Sequence, residues 1–287
     1  MSRGDRVLGA GCWVLGTGYL VKFSSRTQHP GTRNLMQKKS VICVENFVAQ
    51  YGDARILDNV SFEVSEGEIF VILGGSGCGK STLLKHLIGL NKPFSGKILI
   101  DGNDIASCDA ATFHRTLRKI GVLFQSGALI GSMTVGENVT LPLKEYSELP
   151  AGAIAAIVRM KLAAVGLADY EHHLPAEISG GMKKRAGLAR AMALNPKILF
   201  LDEPSAGLDP VTSAEIDELI LRINKTSKTT VVIVTHELAS IFTLAQRVIM
   251  LDKSTKGIIA EGDPKELKDH SPHPFVRQFF NRSFLKT

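Results

Sequence analysis

Three observations predict an α/β fold with a mostly parallel core sheet, an antiparallel β subdomain and an α-helical insert. Short apolar, strand-like runs alternate with helical segments over most of the chain. One of those runs, Ile69–Leu73, passes directly into a glycine-rich turn and then a helix. The alternation stops between Thr134 and about Leu174, where only helical patterning is present, and strands return after Pro196.

Taken in order, Val41–Val48 and Leu57–Val64 read as an antiparallel pair joined by the polar turn around Gly52–Asp53. The glycine-rich turn after Leu73 opens a helix expected from Lys80 to Leu90, and Ile98–Ile100 and Ile120–Phe124 follow as short strands. Ala153–Ala164 is the clearest helix of the insert. Ile198–Leu201, Thr230–Val234 and Val248–Leu251 complete the sheet, separated by helices. No internal repeat is visible. The expected organisation is a basic, disordered tail over residues 1–38, a main domain over 39–262 that contains a helical subdomain over 126–178, and a helical C-terminal extension over 263–287.

The chain has 287 residues, enough for a substantial core, with 44% hydrophobic and 22% charged residues. Its net charge of +6 gathers in the tails: Arg3, Arg6, Lys22, Arg26, Arg33, Lys38 and Lys39 face only Asp5, and Arg277, Arg282 and Lys286 face no acid after His270. The charge therefore says little about partners, and no nucleic-acid partner is expected. Cys12, Cys43, Cys78 and Cys108 lack metal-ligand spacing, which suits a reducing compartment. No apolar run is long enough to span a bilayer, and Val7–Val21, interrupted by glycines, lacks a clear cleavage site for a secretion signal.

Gly74-Gly75-Ser76-Gly77-Cys78-Gly79-Lys80-Ser81 matches the Walker A pattern in the strand–turn–helix setting that the chemistry needs. Glycines let backbone N–H groups turn inward around a phosphate, and the helix N-terminus adds its dipole. Lys80 can reach the β- and γ-phosphates, the Ser81 hydroxyl can ligate Mg²⁺, and Thr82 follows on the helix. Cys78, beside a helix N-terminus, is expected to favour its thiolate. The apolar run Ile198–Leu201 then delivers Asp202 and Glu203, placing one carboxylate for Mg²⁺ and a second as general base. Alone, such a pair is a strand cap; after a Walker A motif it reads as a Walker B site. Ser179-Gly180-Gly181-Met182 opens a helix rich in small and basic residues and could form another anion site, although Ser-Gly-Gly by itself is more often a flexible helix start.

In order, the Walker A loop, Gln125, Ile178-Ser179-Gly180-Gly181-Met182, Asp202-Glu203, Gly207-Leu208-Asp209 and His236 resemble an ATP-binding cassette ATPase, a P-loop NTPase, over about residues 41–262. The resemblance implies ATP and Mg²⁺ as ligands and a head-to-tail pair of copies with ATP between one copy's Walker A loop and the other's Ser179, Gly180 and Gly181. It implies that Gln125 senses Mg²⁺ and links to a membrane permease, that His236 contacts the γ-phosphate, that Asp209 connects the two sites and that Tyr51 stacks on adenine. Met182 replaces the family's usual glutamine. With Pro175–Glu177 before it, it is similar to ATPases of Mla-type, Mce-linked lipid transporters, which implies an Mce-domain partner and a seat on the cytoplasmic face of the inner membrane.

Two other functions compete with lipid transport. A small-solute importer, for amino acids for example, would share every motif. A non-transport ATPase of the same class would carry two cassettes, coiled coils or a zinc insert, none of which is visible. Lys80, Glu203 and His236 are all intact, which argues against a regulatory paralogue. In the C-terminal segment, Phe275, Val276, Phe279 and Phe280 form an aromatic stripe at helical spacing. Such a stripe can pack on the chain's own surface, on the membrane interface or on the other ATPase subunit; the "PFVRQFF" stretch resembles the Mla-type extension, which implies the last.

Overall fold

A computed structural model describes residues 39–281; the expected tail over 1–38 and the last residues, 282–287, lie outside the described residues. The chain opens with a long hairpin, β1 (Ser40–Tyr51) and β2 (Ala54–Ser65), closed at Gly52 in the left-handed region (φ 55°). β4 (Ser95–Ile100) and the two-residue β5 (Asn103–Asp104) complete an antiparallel sheet of order β2-β1-β4-β5.

The second sheet is built from β3 (Ile69–Gly74), β6 (Ile120–Leu123), β7 (Ile198–Asp202), β8 (Thr230–Val234), β9 (Arg247–Asp252) and β10 (Gly257–Gly262) in the order β10-β9-β3-β8-β7-β6. All of its pairs are parallel except the β9–β10 edge. β3 is buried along its whole length because both of its faces are covered, which is why it reads as a continuous apolar run rather than an alternation. Ile69, Val71 and Leu73 face a core shared with the helices, whereas Phe70 and Ile72 face a core shared with the antiparallel sheet.

The helices are α1 (Lys80–Leu87), α2 (Ala110–Leu117), α3 (Val135–Tyr146), α4 (Ala151–Ala164), α5 (Gly180–Ala191), α6 (Pro210–Ser227), α7 (Leu238–Leu244), α8 (Pro264–His270) and α9 (Pro274–Asn281). The segment that lost strand patterning supplies α3 and α4. α3 starts on a capping box of Thr134 and Glu137, and it continues through Pro142. α1 is shorter than expected: it stops at Leu87 because Gly89 takes φ 76°, with Phe113 packed where a side chain would stand. α2, β5 and β10 were not anticipated.

The C-terminal stripe is a helix, but its seat differs from the expected contact with a neighbouring subunit. Val276 and Phe280 are buried in this chain's own core, Phe275 and Phe279 pack beside them, and Phe280 lies 5.7 Å from the ring of Phe242 on α7. The stripe is amphipathic, and the nearest apolar surface is its own cassette. Phe280→Ala is therefore expected to lower the unfolding free energy by about 3–5 kcal/mol, read by urea denaturation of the isolated chain. A variant as stable as the parent but defective in pairing would restore the intersubunit seat.

Candidate nucleotide-binding site

Four neighbouring parallel strands, in the order β3-β8-β7-β6, release their loops at the same edge of the sheet. β3 leads into Gly74–Lys80, β8 into Thr235 and His236, β7 into Glu203, and β6 into Gln125. This is the edge at which open α/β sheets present ligand-binding loops, so residues distant in sequence become neighbours.

The phosphate loop depends on glycine at defined points. At Gly74 (φ 149°) an added Cβ would fall 2.4 Å from the Leu251 carbonyl oxygen and 2.6 Å from Cys78 Sγ. Gly79 (φ 103°) precedes α1, and a Cβ there would meet Leu57 at 2.9 Å. Lys80 Nζ donates to the carbonyl oxygens of Gly74 (2.8 Å) and Gly75 (3.0 Å), which hold the ammonium within the curve of the loop. Ser76, Gly77 and Ser81 are exposed, and Gly75 and Thr82 are half-buried. Cys78 departs from expectation: it is buried, and burial pushes its thiol up despite the nearby Lys80 ammonium, so the thiolate is not favoured.

Asp202 ends β7 with its carboxyl pushed up, first by burial and then by the adjacent Glu203, against the opposing pull of Lys184. Glu203 itself is buried and adopts φ 47°, a conformation that a non-glycine residue rarely takes. Its carboxylate accepts from Thr235 Oγ1 at 3.2 Å, and His236 Nδ1 stands 2.7 Å from its other oxygen. Since a carboxylate only accepts, that spacing places a proton on Nδ1. The rest of the His236 ring is open to solvent, with 57% side-chain exposure.

The remaining sequence-predicted residues are spread around this edge. Gln125 is exposed just beyond β6, and Tyr51 is exposed at the end of β1, where its hydroxyl accepts from Asn91 Nδ2 at 2.7 Å. Ser179 caps α5 by accepting from Met182 N, and with Gly180 it is exposed. Gly181 is buried, and a Cβ there would stand 2.6 Å from Thr212 on α6. Asp209 caps α6, accepting from the Val211 and Thr212 backbones and the Thr212 hydroxyl, and these bonds hold its carboxyl below the usual range. Met182 is half-buried and packs on the core.

Sequence reasoning missed three residues that brace the site. Buried Lys184 donates to the Glu203 carbonyl at 2.7 Å. Arg190 donates to the carbonyls of Gly127 and Ala128, tying α5 to the loop after Gln125. Asn138 is fully buried and holds the Ile130, Met133 and Thr134 carbonyls. All three lie in segments whose local pattern gives no sign of these partners.

A phosphate loop facing a carboxylate–histidine pair across a parallel sheet defines a nucleoside-triphosphate hydrolase. The chain belongs to the ABC transporter family, whose model matches residues 57–206, and it is an ATP-hydrolysing subunit of that class. It is 44% identical over 238 residues to a probable ribonucleotide transport ATP-binding protein, mkl, of Mycobacterium leprae, covering 83% of this chain and 68% of that protein. It is 40% identical over 230 residues to the intermembrane phospholipid transport system ATP-binding protein MlaF of Escherichia coli, covering 80% of this chain and 84% of that protein. Among solved structures, the dimeric post-hydrolysis state of the ATP-binding cassette MJ0796 with ADP and Pi aligns with TM-score 0.70 at 31% identity, over 77% of this chain and 98% of that one. The cbiO1 structure from Clostridium perfringens aligns with TM-score 0.73 at 30% identity, over 80% of this chain and 91% of that one. The MJ0796 cassette is dimeric in this post-hydrolysis structure and in a second one. Among the described residues, no helix is long and apolar enough to cross a membrane.

Proposed function

We propose that two copies of this chain sandwich two ATP molecules and, by hydrolysing them, drive a separate integral membrane permease that moves phospholipid. The observation that carries this reading is the convergence of Lys80 with the Glu203–His236 pair at one sheet edge. The phospholipid assignment is supported by likeness to the MlaF proteins of Escherichia coli and Haemophilus influenzae, at 40% and 39% identity over 84% and 86% of their lengths.

In this reading Gly74, Gly75, Ser76, Gly77, Cys78, Gly79, Lys80, Ser81 and Thr82 cradle the phosphates, and Tyr51 stacks on adenine. Glu203 takes the proton of the attacking water, and His236 orients the γ-phosphate while holding Glu203 in place. Ser179, Gly180 and Gly181 of the second copy close the site, and Asp209 joins the two sites. Ser81, Gln125 and Asp202 would hold Mg²⁺. The set is all oxygen, as that ion prefers. The ion would neutralise charge on the phosphates.

The permease docks in a groove of about 740 Å³ between the loop after β6 and the insert helix α3. Ile130, Leu141 and Tyr146 are apolar yet exposed, and all three line this groove. The machine sits on the cytoplasmic face of the inner membrane, held there by the permease, with an Mce-domain lipid-binding protein as a further partner. A second reading, small-solute transport, is favoured by the 44% identity to mkl, named for probable ribonucleotide transport, and by 40% identity to a methionine import ATP-binding protein, MetN 2, of Pseudomonas entomophila, over 67% of its length.

Purification of the tagged chain from membranes tests both readings, with crosslinkers placed at Ile130 and Tyr146 and bound lipids identified by mass spectrometry. The expected result is crosslinks to one permease that retains phospholipid. A lipid-free solute permease would favour the import reading, and crosslinks that map to other faces would move the docking site.

A further inference from the structure

Lys184 lies on α5, the helix that Ser179 caps, and it is only 6% exposed. Burying an ammonium is costly unless it is paired. An apolar or amide side chain would fill the same space without that cost. The Lys184 ammonium has one hydrogen-bond acceptor at close range, the Glu203 carbonyl oxygen at 2.7 Å, and the Asp202 and Glu203 carboxylates act on it electrostatically. Glu203 needs such an anchor. At φ 47° it leaves the strand geometry of β7, and a non-glycine residue stays in that region only where its surroundings over-determine it. Its N–H donates to Val234 O at 2.8 Å and its carboxylate meets Thr235 and His236, so β8 and the loop after it hold one side. The carbonyl points the other way, toward α5.

We propose that Lys184 is a positioning residue for hydrolysis: it holds the Glu203 carbonyl, so that the carboxylate is aimed at the water attacking the γ-phosphate. The inference rests on the reading of Glu203 as general base. It also gives that reading a physical link between two sites. α5 begins at Ser179, which faces the second copy's nucleotide, and carries Lys184 on its second turn, which braces this copy's own base. A shift of α5 on closure of the pair is passed to Glu203 through one hydrogen bond.

ATP hydrolysis by the full-length chain with its membrane partner tests this with Lys184→Met, Lys184→Arg, Glu203→Gln and the Lys184→Met/Glu203→Gln double variant. Lys184→Met is expected to lower kcat at least about 10-fold with KM for ATP within about twofold, while Lys184→Arg, which keeps a donor, retains at least about a third of kcat. In the double variant the residual rate should match that of Glu203→Gln within about twofold, because Lys184 acts through Glu203. A Lys184→Met kcat within about twofold of the parent, a loss that appears in KM instead, or losses that multiply in the double variant each overturn the proposal. If Lys184→Met does not fold, Lys184→Arg and Lys184→Ala, which has no donor, are read by the same split, and equal kcat in the two overturns it. An inactive Glu203→Gln chain beside a normal Lys184→Met chain removes this inference alone, whereas a fully active Glu203→Gln chain removes the base assignment and this inference with it.

Discussion

Replacing Glu203 by glutamine should reduce ATP turnover by at least about 100-fold while leaving ATP binding intact. The amide preserves the shape of the side chain, and an NH₂ or carbonyl group can still meet Thr235 Oγ1 and His236, which stand 3.2 and 2.7 Å from the carboxylate oxygens. What it removes is the ability to take a proton. Lys80 and the glycine loop that would grip the phosphates are built on β3 and α1 and do not touch this side chain. The loss should therefore fall on kcat, in steady-state hydrolysis compared with ATP affinity measured by fluorescence. Near-parental turnover by purified Glu203→Gln would withdraw the assignment of Glu203 as base.

The second large effect is expected at Lys80. Its ammonium is already positioned inside the loop by the Gly74 and Gly75 carbonyls, at 2.8 and 3.0 Å. Those neutral acceptors are weak competitors for it. Phosphate oxygens offer a charge-assisted bond of about 1.5–3 kcal/mol, so Lys80→Ala should weaken ATP binding by about 10- to 100-fold. Lys80 is half-buried on the loop rather than in either core, so the melting temperature should change little. ATP titration followed by calorimetry reads the effect directly. Unchanged affinity would mean that the loop binds phosphate through its backbone alone.

The parts of this site that were legible in the sequence are the parts made by contiguous residues. The glycine spacing from Gly74 to Gly79 is dictated by local backbone geometry, and the left-handed φ at Gly77 and Gly79 agrees with it. Asp202 and Glu203 were legible because an apolar strand ends on them. His236 and Tyr51 were legible only through family resemblance, since a lone histidine after a strand and a tyrosine beside a turn have commoner explanations. Lys184 was hidden for a different reason. In the run Met182-Lys183-Lys184-Arg185 it reads as one of several solvated charges, and its partner lies in another element, on β7's far end.

The same division holds for the fold. Strands buried on both faces, such as β3 and β8, were found as apolar runs. The half-buried edge strand β10 lacked that signal. The aromatic stripe of α9 announced that one face would be covered without saying by what, and the covering surface is this chain's own core around Phe242. Helix α1 ended early because a single glycine, Gly89, decides termination against an apolar period that runs on to Leu90.

If two copies close around ATP, each completing the other's site, the mass of the Glu203→Gln chain in solution should depend on ATP and Mg²⁺. With hydrolysis blocked, a shift from monomer to dimer is expected on adding ATP, with two nucleotides per dimer, and that shift should be lost when Ser179 is replaced by a bulky residue. A Glu203→Gln chain that binds one ATP per copy and stays monomeric with its permease partner present would contradict that pairing.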